Sequence, residues 1–394
     1  MASALVVPVV EIRNVRIHPN ADMLSLCDVL GYQMVNGLVE DPNGELVRYF
    51  INGKRDDKGR RIPCDPSDCS FSDMYEGVRY SFRYKNGDLA VYFPADTILP
   101  QEWAEKFDVT HLLQSGNKIG RCRLRGEPSF GLVVELPDGV DWKIGDNVAE
   151  YYGATKFTPP PRNDPGDCAP YDDNLDPYFI KYTDIQNGKL FYENFRDGEE
   201  VIGCEKIHGG NSRVGIVNGT LVAGSRTTRK SRPPAGESLK NYLYWCPLAN
   251  SGVEQLLRQF ERDGAKTVIL FGEVYGQGVQ SLHYGVGGQK EKGYRAFDLY
   301  VDGKYLNYED FKKACDEHGV ESAPVLYRGQ FDLAKINELS DGQSSLPGAQ
   351  NIREGIVVRP LVERNSPKLG RMILKFIGSN YELSNHKNKD TTDV

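Results

Sequence analysis

The chain has 394 residues and a mass of 44.2 kDa, with 39% hydrophobic and 26% charged residues. This is an ordinary globular composition, with enough length for two or three domains. No stretch reaches the ~18 to 20 consecutive apolar residues of a membrane helix, and the start lacks the features of a signal peptide. We therefore expect neither secretion nor membrane insertion. The formal net charge of −7 argues against a protein that coats nucleic acid through bulk positive charge.

The eight cysteines are scattered along the chain. Only Cys64 and Cys69 lie close together, and no second pair completes the spacing of a zinc site. We interpret the cysteines as free thiols in a reducing compartment, which predicts a cytoplasmic or nuclear location.

The clearest boundary is a proline-rich segment, FTPPPRNDPGDCAPYD, at residues 157–172. Three consecutive prolines followed by Asp-Pro-Gly can continue neither a helix nor a central strand. The segment predicts a linker over residues 157–172, which separates a first domain of residues 1–156 from a second domain of residues 173–394.

The first domain contains short apolar runs separated by turn residues, a pattern that predicts strands. One helix is expected over residues 101–114, and a long loop over residues 56–72, where charge and proline dominate. A small barrel of five or six strands is the simplest architecture for this pattern. The predicted strands cover residues 6–16, 25–30, 46–52, 89–93 and 131–136.

The second domain alternates predicted strands, hairpins and helices. Two hairpins are expected at the turns Asn218-Gly219 and Asp302-Gly303, because these residue pairs adopt the positive φ angles of type I′ turns. Helices are predicted over residues 238–248, 253–262 and 308–318, and Gly319 is the expected C-cap of the last one. The pattern as a whole predicts an α+β fold.

A basic run lies between residues 206 and 240, where Glu237 is the single acid among seven basic residues. Because predicted strands bracket these charges, we favour a surface that faces phosphate groups over a merely solvated face. The basic residues are Lys206, Arg213, Arg226, Arg229, Lys230, Arg232 and Lys240.

The most informative segment is CEKIHGGN, at residues 204–211. Neither a phosphate-binding loop G-x-x-x-x-G-K-[ST] nor a serine hydrolase elbow G-x-S-x-G occurs in the chain. Lys206, in contrast, stands beside an acid and is followed by two glycines. A lysine becomes a nucleophile when neighbouring cations or desolvation depress its pKa, and glycines let a phosphate approach the backbone. The segment therefore predicts a nucleophilic lysine at a phosphate site.

This segment resembles the K-x-x-G motif of the covalent nucleotidyltransferases, the superfamily of RNA ligases, DNA ligases and mRNA capping enzymes. Companion motifs follow in the order that the family has, which makes the resemblance specific. They are Ser225-Arg226, FGEVYG around Glu273, Phe297-Asp298, EGIVV from Glu354, and ILKFI around Lys375.

The resemblance implies a role for each matched residue. Lys206 would carry the nucleotide covalently, Lys375 would bind its phosphate, and Glu354 would serve the metal. Glu273 would contact the ribose, and Phe297 would stack on the purine. The nucleotide-binding residues implied in this way are Glu205, Ile207, Gly209, Asn211, Arg226, Glu273 and Phe297; Arg226, Arg229 and Lys230 would contact RNA phosphates.

Within the superfamily, the segment from Glu205 to Asn211 resembles the phage-type RNA ligase motif E-K-I-H-G-x-N. The chain ends at Val394, soon after Lys375, so we expect no OB domain after the last motif, where DNA ligases and capping enzymes have one. The extra domain comes first, as in the Deinococcus-type RNA ligases with an N-terminal OB-fold. The segment from Arg16 to Val29 also resembles the opening of the OB-folds in tRNA-binding modules.

The fold class implied is therefore α+β, with an N-terminal OB-like β-barrel before the catalytic domain. That second domain would be a nucleotidyltransferase (ATP-grasp-like ligase) domain of antiparallel sheets flanked by helices. The barrel would give a second grip on nucleic acid, with Tyr80, Arg83 and Tyr84 as candidate contacts.

The function implied is that of an ATP-dependent RNA ligase, which joins 3′-OH and 5′-phosphate ends through lysine–AMP and RNA-adenylate intermediates in RNA repair at nicks. ATP would be the substrate and Mg²⁺ or Mn²⁺ the metal. The expected partners are RNA ends or a nicked duplex containing RNA, and a monomer is expected. Two alternatives remain open: a catalytically decayed RNA-binding protein, and a DNA ligase or capping-type nucleotidyltransferase.

One position departs from the family pattern. The family commonly has a second lysine two residues after the first in the last motif, and this chain has Ile377 there. Either Lys375 acts alone, or Arg371, Arg359 or Lys368 takes a share of the phosphate charge.

Overall fold

The computed structural model describes residues 5–57, 59–64, 75–158, 178–276, 278–282, 284–286 and 291–384. The chain divides into two compact units, with the division between Pro159 and Pro160. Residues 159–172 of the predicted linker lie outside the described residues, as does much of the loop predicted over residues 56–72. Both units are rich in strands and carry few helices.

Antiparallel strands make up most of the first unit. Its described α-helix is α1 (Gln101–Lys106), which a 3₁₀ turn at Thr110–Leu112 follows. The helix predicted over residues 101–114 is therefore wrong in length, because Asp108 has a positive φ of 56°, which no α-helix accommodates. The strands are β1 (Val9–Glu11), β2 (Arg13–Ile17), β3 (Leu24–Val29), β4 (Tyr32–Glu40), β5 (Leu46–Arg55), β6 (Arg61–Pro63), β7 (Tyr75–Phe82), β8 (Leu89–Pro94), β9 (Thr97–Ile98), β10 (Cys122–Leu124), β11 (Glu127–Ser129), β12 (Gly131–Glu135) and β13 (Thr155–Lys156).

The largest sheet of the first unit has six strands in the order β2-β3-β4-β7-β5-β6. The strand predicted over residues 6–16 is two strands, β1 and β2, which belong to different sheets. The sequence does not predict β4, because Asn36 and Gly37 interrupt its apolar alternation. This strand pairs with β3 as far as Gly37 and with β7 from Leu38 onward.

The second unit contains all the ordered motifs. Its strands are β14 (Gln186–Asn187), β15 (Glu200–Lys206), β16 (Gly210–Val217), β17 (Thr220–Ser225), β18 (Arg229–Lys230), β19 (Thr267–Tyr275), β20 (Gly293–Val301), β21 (Lys304–Tyr305), β22 (Val325–Gln330), β23 (Gly355–Pro360), β24 (Asn365–Ser366), β25 (Gly370–Arg371) and β26 (Leu374–Ile377). Its α-helices are α2 (Gly188–Phe191), α3 (Ser251–Arg262), α4 (Tyr308–Glu317), α5 (Leu333–Ser340) and α6 (Ser379–Ser384), with 3₁₀ turns at Tyr192–Asn194, Leu239–Asn241 and Cys246–Ala249.

Both predicted hairpins are confirmed. Asn218 and Gly219 join β16 to β17 with φ angles of 47° and 81°, and Asp302 and Gly303 join β20 to β21 with φ angles of 42° and 97°. Positive φ at both central positions is the type I′ geometry that Asn-Gly and Asp-Gly favour.

Two of the three helices predicted in this domain are confirmed as α3 and α4. Val253, Leu256 and Leu257 of α3 are fully buried, because their spacing forms one apolar stripe. Gly319, with a φ of 64°, follows the end of α4 as predicted.

The third predicted helix, over residues 238–248, is wrong, since two 3₁₀ turns occupy this segment. Pro247 has no N–H to continue a helical ladder, and the buried Trp245 instead donates its indole N–H to the Ser231 carbonyl. Among the described residues, no helix has the length and apolar character to cross a membrane.

Two sheets of the second unit carry the predicted site. They have the strand orders β18-β17-β16-β19-β20-β21 and β14-β26-β23-β15-β22. One face of the six-stranded sheet packs on α3 and α4, and the opposite face carries Phe271 against Tyr182. In the five-stranded sheet, Val201 and Phe376 lie on the face that packs with α5. Because side chains alternate between faces, Lys206 belongs to the other face.

Candidate active site

Lys206 is the last residue of β15 and shares a face of that strand with Ile202. Ile202 packs into the core that contains Val214 of the six-stranded sheet, so this face of the five-stranded sheet is turned toward the other sheet. The Lys206 Nζ lies 2.7 Å from Glu354 Oε1, and the two side chains are only 24% and 12% exposed. The predicted nucleophile and the predicted metal ligand are therefore in direct contact.

Three ionisable groups interact strongly here. Burial raises the pKa of Glu273 to about 8, and the charge of Glu354 adds to this effect, although Lys206 opposes it. Burial would lower the pKa of Lys206, but Glu354 and Glu273 outweigh it and raise the pKa above its ordinary value. Burial would raise the pKa of Glu354, but Lys206 holds it below its ordinary value. The resting site therefore contains a protonated lysine paired with an ionised Glu354.

Gly209 brings the backbone close to the carboxyl group of Glu273. The Gly209 N–H donates to Glu273 Oε1 at 3.1 Å. A Cβ at this position would lie 2.2 Å from the Val274 carbonyl oxygen and 3.0 Å from Glu273 Cγ, so only glycine fits. The glycine of the K-x-x-G segment thus lets the connection between β15 and β16 pass close to β19 without displacing Glu273.

His208 is surrounded by hydroxyl groups. Its Nδ1 lies 2.8 Å from the Tyr381 hydroxyl and 3.6 Å from Glu354 Oε2, and its backbone N–H donates to the Tyr284 hydroxyl at 2.6 Å. Sequence reasoning does not find Tyr284 or Tyr381, because neither carries a local motif and both reach His208 from distant parts of the chain. The His208 ring is fixed beside Glu354 by these contacts.

Glu205 points away from Lys206. Its carboxylate accepts hydrogen bonds from the Ser344 hydroxyl at 2.6 Å and from the Ser345 N–H at 2.7 Å, and the residue is 3% exposed. Ile207 is also buried and packs in a cluster that includes Tyr275. Both residues therefore support the site through packing and loop contacts, and neither side chain lies beside Lys206.

Phe297 occupies a β-bulge. Phe271 pairs with Asp298 and Gly272 pairs with Ala296, which leaves Phe297 as the extra residue of β20. Such bulges redirect a side chain, and the Phe297 ring is only partly buried.

Asn211 is paired with Glu273 across β16 and β19, so that the two side chains lie on one face. Its Oδ1 is buried and has no hydrogen-bond partner among the described residues. A buried acceptor without a partner is costly in a folded protein. Asn211 Oδ1 can therefore accept a hydrogen bond from a ligand on the face that carries Glu273.

The residues of the basic run that are predicted to contact RNA lie in and next to β18. Arg226 follows β17, is exposed, and forms an ion pair with Asp184. Arg229 and Lys230 form β18, and Lys230 Nζ lies 5.4 Å from the centroid of the Tyr244 ring. These three cations lie at one edge of the six-stranded sheet.

Lys375 lies on the same face of the five-stranded sheet as Lys206. The register pairs Lys206 with Gly355 and Gly355 with Ile377, whereas Lys375 pairs with Val357. Ile377 therefore lies in the same row of the sheet as Lys206, with Gly355 between them. Lys375 lies in the next row on the same face.

The two arginines considered as substitutes at Ile377 are engaged elsewhere. Arg359 and Arg371 donate to the two oxygens of Asp298 at 2.6 and 2.7 Å, and both also pair with Glu363. The Tyr182 hydroxyl donates to Asp298 at 2.6 Å. Asp298 is 1% exposed. This Asp298 network joins β20 of one sheet to β23 of the other, and it engages both arginines.

We expect Asp298→Asn to destabilise the second unit strongly, because it leaves Arg359 and Arg371 buried with less opposing charge. Removing one partner of a buried ion pair costs about 3–5 kcal/mol. The loss can be measured as the free energy of unfolding in urea. The control is Glu317→Gln, whose partner Lys313 is 74% exposed, and which should cost less than about 1 kcal/mol. Equal losses in the two variants would contradict a stabilising role for the Asp298 network.

The RNA ligase family model matches residues 199–377, a segment that holds every predicted motif and is less than half of the chain. None of the curated proteins compared matches the chain significantly.

Solved structures resemble the whole chain. An apo substitution variant of the Naegleria gruberi RNA ligase has a TM-score of 0.64 and 19% identity, and the match covers 98% of this chain and 99% of that one. A variant of the same ligase with ATP and Mn has a TM-score of 0.64 and 19% identity, with 97% and 99% covered. A third variant, with AMP and Mn, has the same TM-score and identity, with 98% and 99% covered. The chain therefore has an RNA ligase fold, of the mixed α+β class that the sequence predicts.

Proposed function

We propose that the protein is an ATP-dependent RNA ligase, which joins a 3′-hydroxyl to a 5′-phosphate of RNA. The observation that carries this proposal is the contact between Lys206 and Glu354 beside Glu273, inside the segment that matches the RNA ligase family. The ATP-bound and AMP-bound ligases of the same fold support an adenine nucleotide as the substrate.

Lys206 would act as a covalent nucleophile in three steps. Its neutral Nζ forms a bond to the α-phosphorus of ATP, the bond to pyrophosphate breaks, and lysine–AMP results. AMP then passes to the 5′-phosphate of RNA, which gives an RNA adenylate and frees the lysine. Finally the RNA 3′-hydroxyl attacks the 5′-phosphorus, a phosphodiester forms, and AMP leaves.

The carboxylate of Glu354 fits a divalent cation such as Mg²⁺ or Mn²⁺. Glu354 Oε2 is buried and has no hydrogen-bond partner among the described residues, and carboxylate oxygens are the ligands that these cations prefer. When bound, the cation offsets charge on the reacting phosphate and favours the neutral form of a nearby amine. Glu354 would hold it, and Lys206 must give up its pairing with Glu354 before it can attack.

Phe297 and Glu273 would hold adenosine, the ring by stacking on the base and the carboxyl group by hydrogen bonds to the ribose. We expect Phe297→Ala and Glu273→Ala each to weaken the binding of ATP in the adenylation step by ~1 to 3 kcal/mol. The measurement is the ATP dependence of single-turnover adenylation. Unchanged ATP dependence in both variants would remove these two residues from the nucleotide site.

RNA phosphates would be held by the cations at the edge of the six-stranded sheet, Arg226, Arg229 and Lys230, because phosphate contacts supply most sequence-independent affinity. The strand-rich first unit would be the OB-like domain of a Deinococcus-type ligase and would add a second grip. Tyr80 and Tyr84 are each 4% exposed, so neither ring is accessible for the contact with nucleic acid expected of it. The exposed Arg83 stays a candidate contact.

The biological setting proposed is repair of nicked RNA by a monomer in the cytoplasm or nucleus. The scattered cysteines support a reducing compartment, and the free thiols of the described residues are Cys27, Cys64, Cys122, Cys204, Cys246 and Cys315.

Incubation with α-labelled ATP, and separately with α-labelled GTP, tests this function. We expect a covalent protein adduct with ATP and Mg²⁺ or Mn²⁺ that survives denaturing electrophoresis and is cleaved by acid, as a phosphoramidate is, and sealing of a nicked duplex with RNA at the 3′-hydroxyl side. An adduct with GTP, or sealing of all-DNA nicks alone, would favour the capping-type or DNA ligase alternative. A protein that binds RNA and forms no adduct would be the decayed RNA-binding protein.

A further inference from the structure

A segment that precedes the family match contacts the six-stranded sheet at several points, on the face that carries Phe271. We name residues 179–184 the strap. Arg213, which is fully buried, donates to the main-chain carbonyls of Phe179 and Ile180, the latter at 2.9 Å. The Thr183 hydroxyl donates to the Tyr305 hydroxyl at 3.3 Å. The strap is therefore a defined part of the fold, although it lies outside residues 199–377.

Tyr182 is the strap residue that reaches Phe297. The two rings lie 4.9 Å apart between centroids, at an interplanar angle of 60°, which is a favourable edge-to-face geometry. Tyr182 also packs against the Phe271 ring, with 4.9 Å between the two centroids. Tyr182 is only 6% exposed.

The hydroxyl of Tyr182 fixes the ring in this position. It donates to Asp298 Oδ2 at 2.6 Å, and Arg371 Nη1 donates to the same carboxylate oxygen at 2.7 Å. Asp298 directly follows Phe297 in β20, beyond the bulge. Tyr182 thus holds the bulge through two contacts at once, its ring on Phe297 and its hydroxyl on the next residue.

We propose that Tyr182 is a positioning residue for the adenine-stacking ring of Phe297. A β-bulge leaves its extra residue outside the ladder, so neighbours must restrict the ring before a base can stack on it. A ring held in its binding geometry loses less conformational freedom when the ligand arrives. Tyr182 therefore contributes to ATP affinity and not to the rate of phosphoryl transfer. This inference rests on the proposed function.

Adenylation kinetics of Tyr182→Ala and Tyr182→Phe test the inference. For Tyr182→Ala we expect the ATP concentration at half-maximal single-turnover rate to rise about tenfold, with the saturated rate within about twofold of the wild type. Tyr182→Phe keeps the ring on Phe297, so it should recover most of the affinity and show a rise of about threefold or less. Such a split between affinity and rate is not expected from general destabilisation.

The matched control is Tyr300→Ala, which removes a ring from the same cluster, where it packs on Tyr305 at 5.3 Å. It should leave the ATP dependence unchanged. ATP binding to Lys206→Ala, measured by calorimetry with and without Tyr182→Ala, gives a readout that needs no adduct. If the wild type forms no adduct, the proposed ligase activity fails, whereas unchanged ATP affinity in a folded Tyr182→Ala variant overturns the positioning role alone. If Tyr182→Ala does not fold, the same comparison with Tyr182→Leu decides the question.

Discussion

Replacement of Lys206 by alanine or by arginine is expected to abolish the protein–AMP adduct, with a loss of roughly 10³-fold or more. Alanine removes the amine that forms the phosphoramidate bond. Arginine keeps a positive charge opposite Glu354, but a guanidinium group cannot lose its proton in a protein and so cannot attack phosphorus. The measurement is transfer of label from α-labelled ATP to protein.

The control for this prediction is Lys313→Ala, which removes an exposed lysine of α4 and should leave the adduct at the wild-type level. Circular dichroism and thermal unfolding establish that both Lys206 variants keep the fold. An undiminished adduct in Lys206→Arg would place the covalent site on another lysine. The arginine variant is the more informative one, because it separates the need for charge at this position from the need for a neutral nucleophile.

The sequence predicts those features that depend on local patterns. The turns at Asn218-Gly219 and Asp302-Gly303 are predicted because only a few residue types adopt their φ angles. The shared face of Lys375 and Ile377 follows from strand alternation alone. That Lys206 and Glu354 belong to one site is implied only by the resemblance of the ordered motifs. Their direct contact is not predicted, since nothing in either local segment indicates its partner.

Other features depend on long-range contacts and have no local signal. Asp298 meets Arg359 and Arg371 from strands far apart in the chain, and the arginines resemble any exposed cation when the sequence alone is considered. The same limit applies to Glu205, for which the resemblance of its motif implies a role in nucleotide binding. Alternation along β15 instead turns its carboxylate toward Ser344, on the face opposite Lys206.

Gly355 determines what a side chain at position 377 could reach. The glycine stands between Lys206 and Ile377 in one row of the sheet, and a Cβ there would lie 2.2 Å from the Phe376 carbonyl oxygen. Residues 206 and 377 project from the same face of the sheet and have no side chain between them. They are two strand spacings apart, with about 10 Å between their Cα atoms. A long side chain at position 377 could therefore reach the space in front of Lys206.

Lys375→Ala is expected to reduce single-turnover adenylation by about 10²-fold or more, the usual cost of losing a group that stabilises charge in a phosphoryl-transfer transition state. Arg359 and Arg371 are held by Asp298, so they are not placed to replace it. Ile377→Lys should be tolerated or should increase the rate mildly, because a second cation level with Lys206 would disfavour its protonated form. Lys368→Ala distinguishes the remaining alternative, since Lys368 is exposed in the turn between β24 and β25. Substantial activity in Lys375→Ala together with a loss in Lys368→Ala would mean that the phosphate is held from that turn and not from β26.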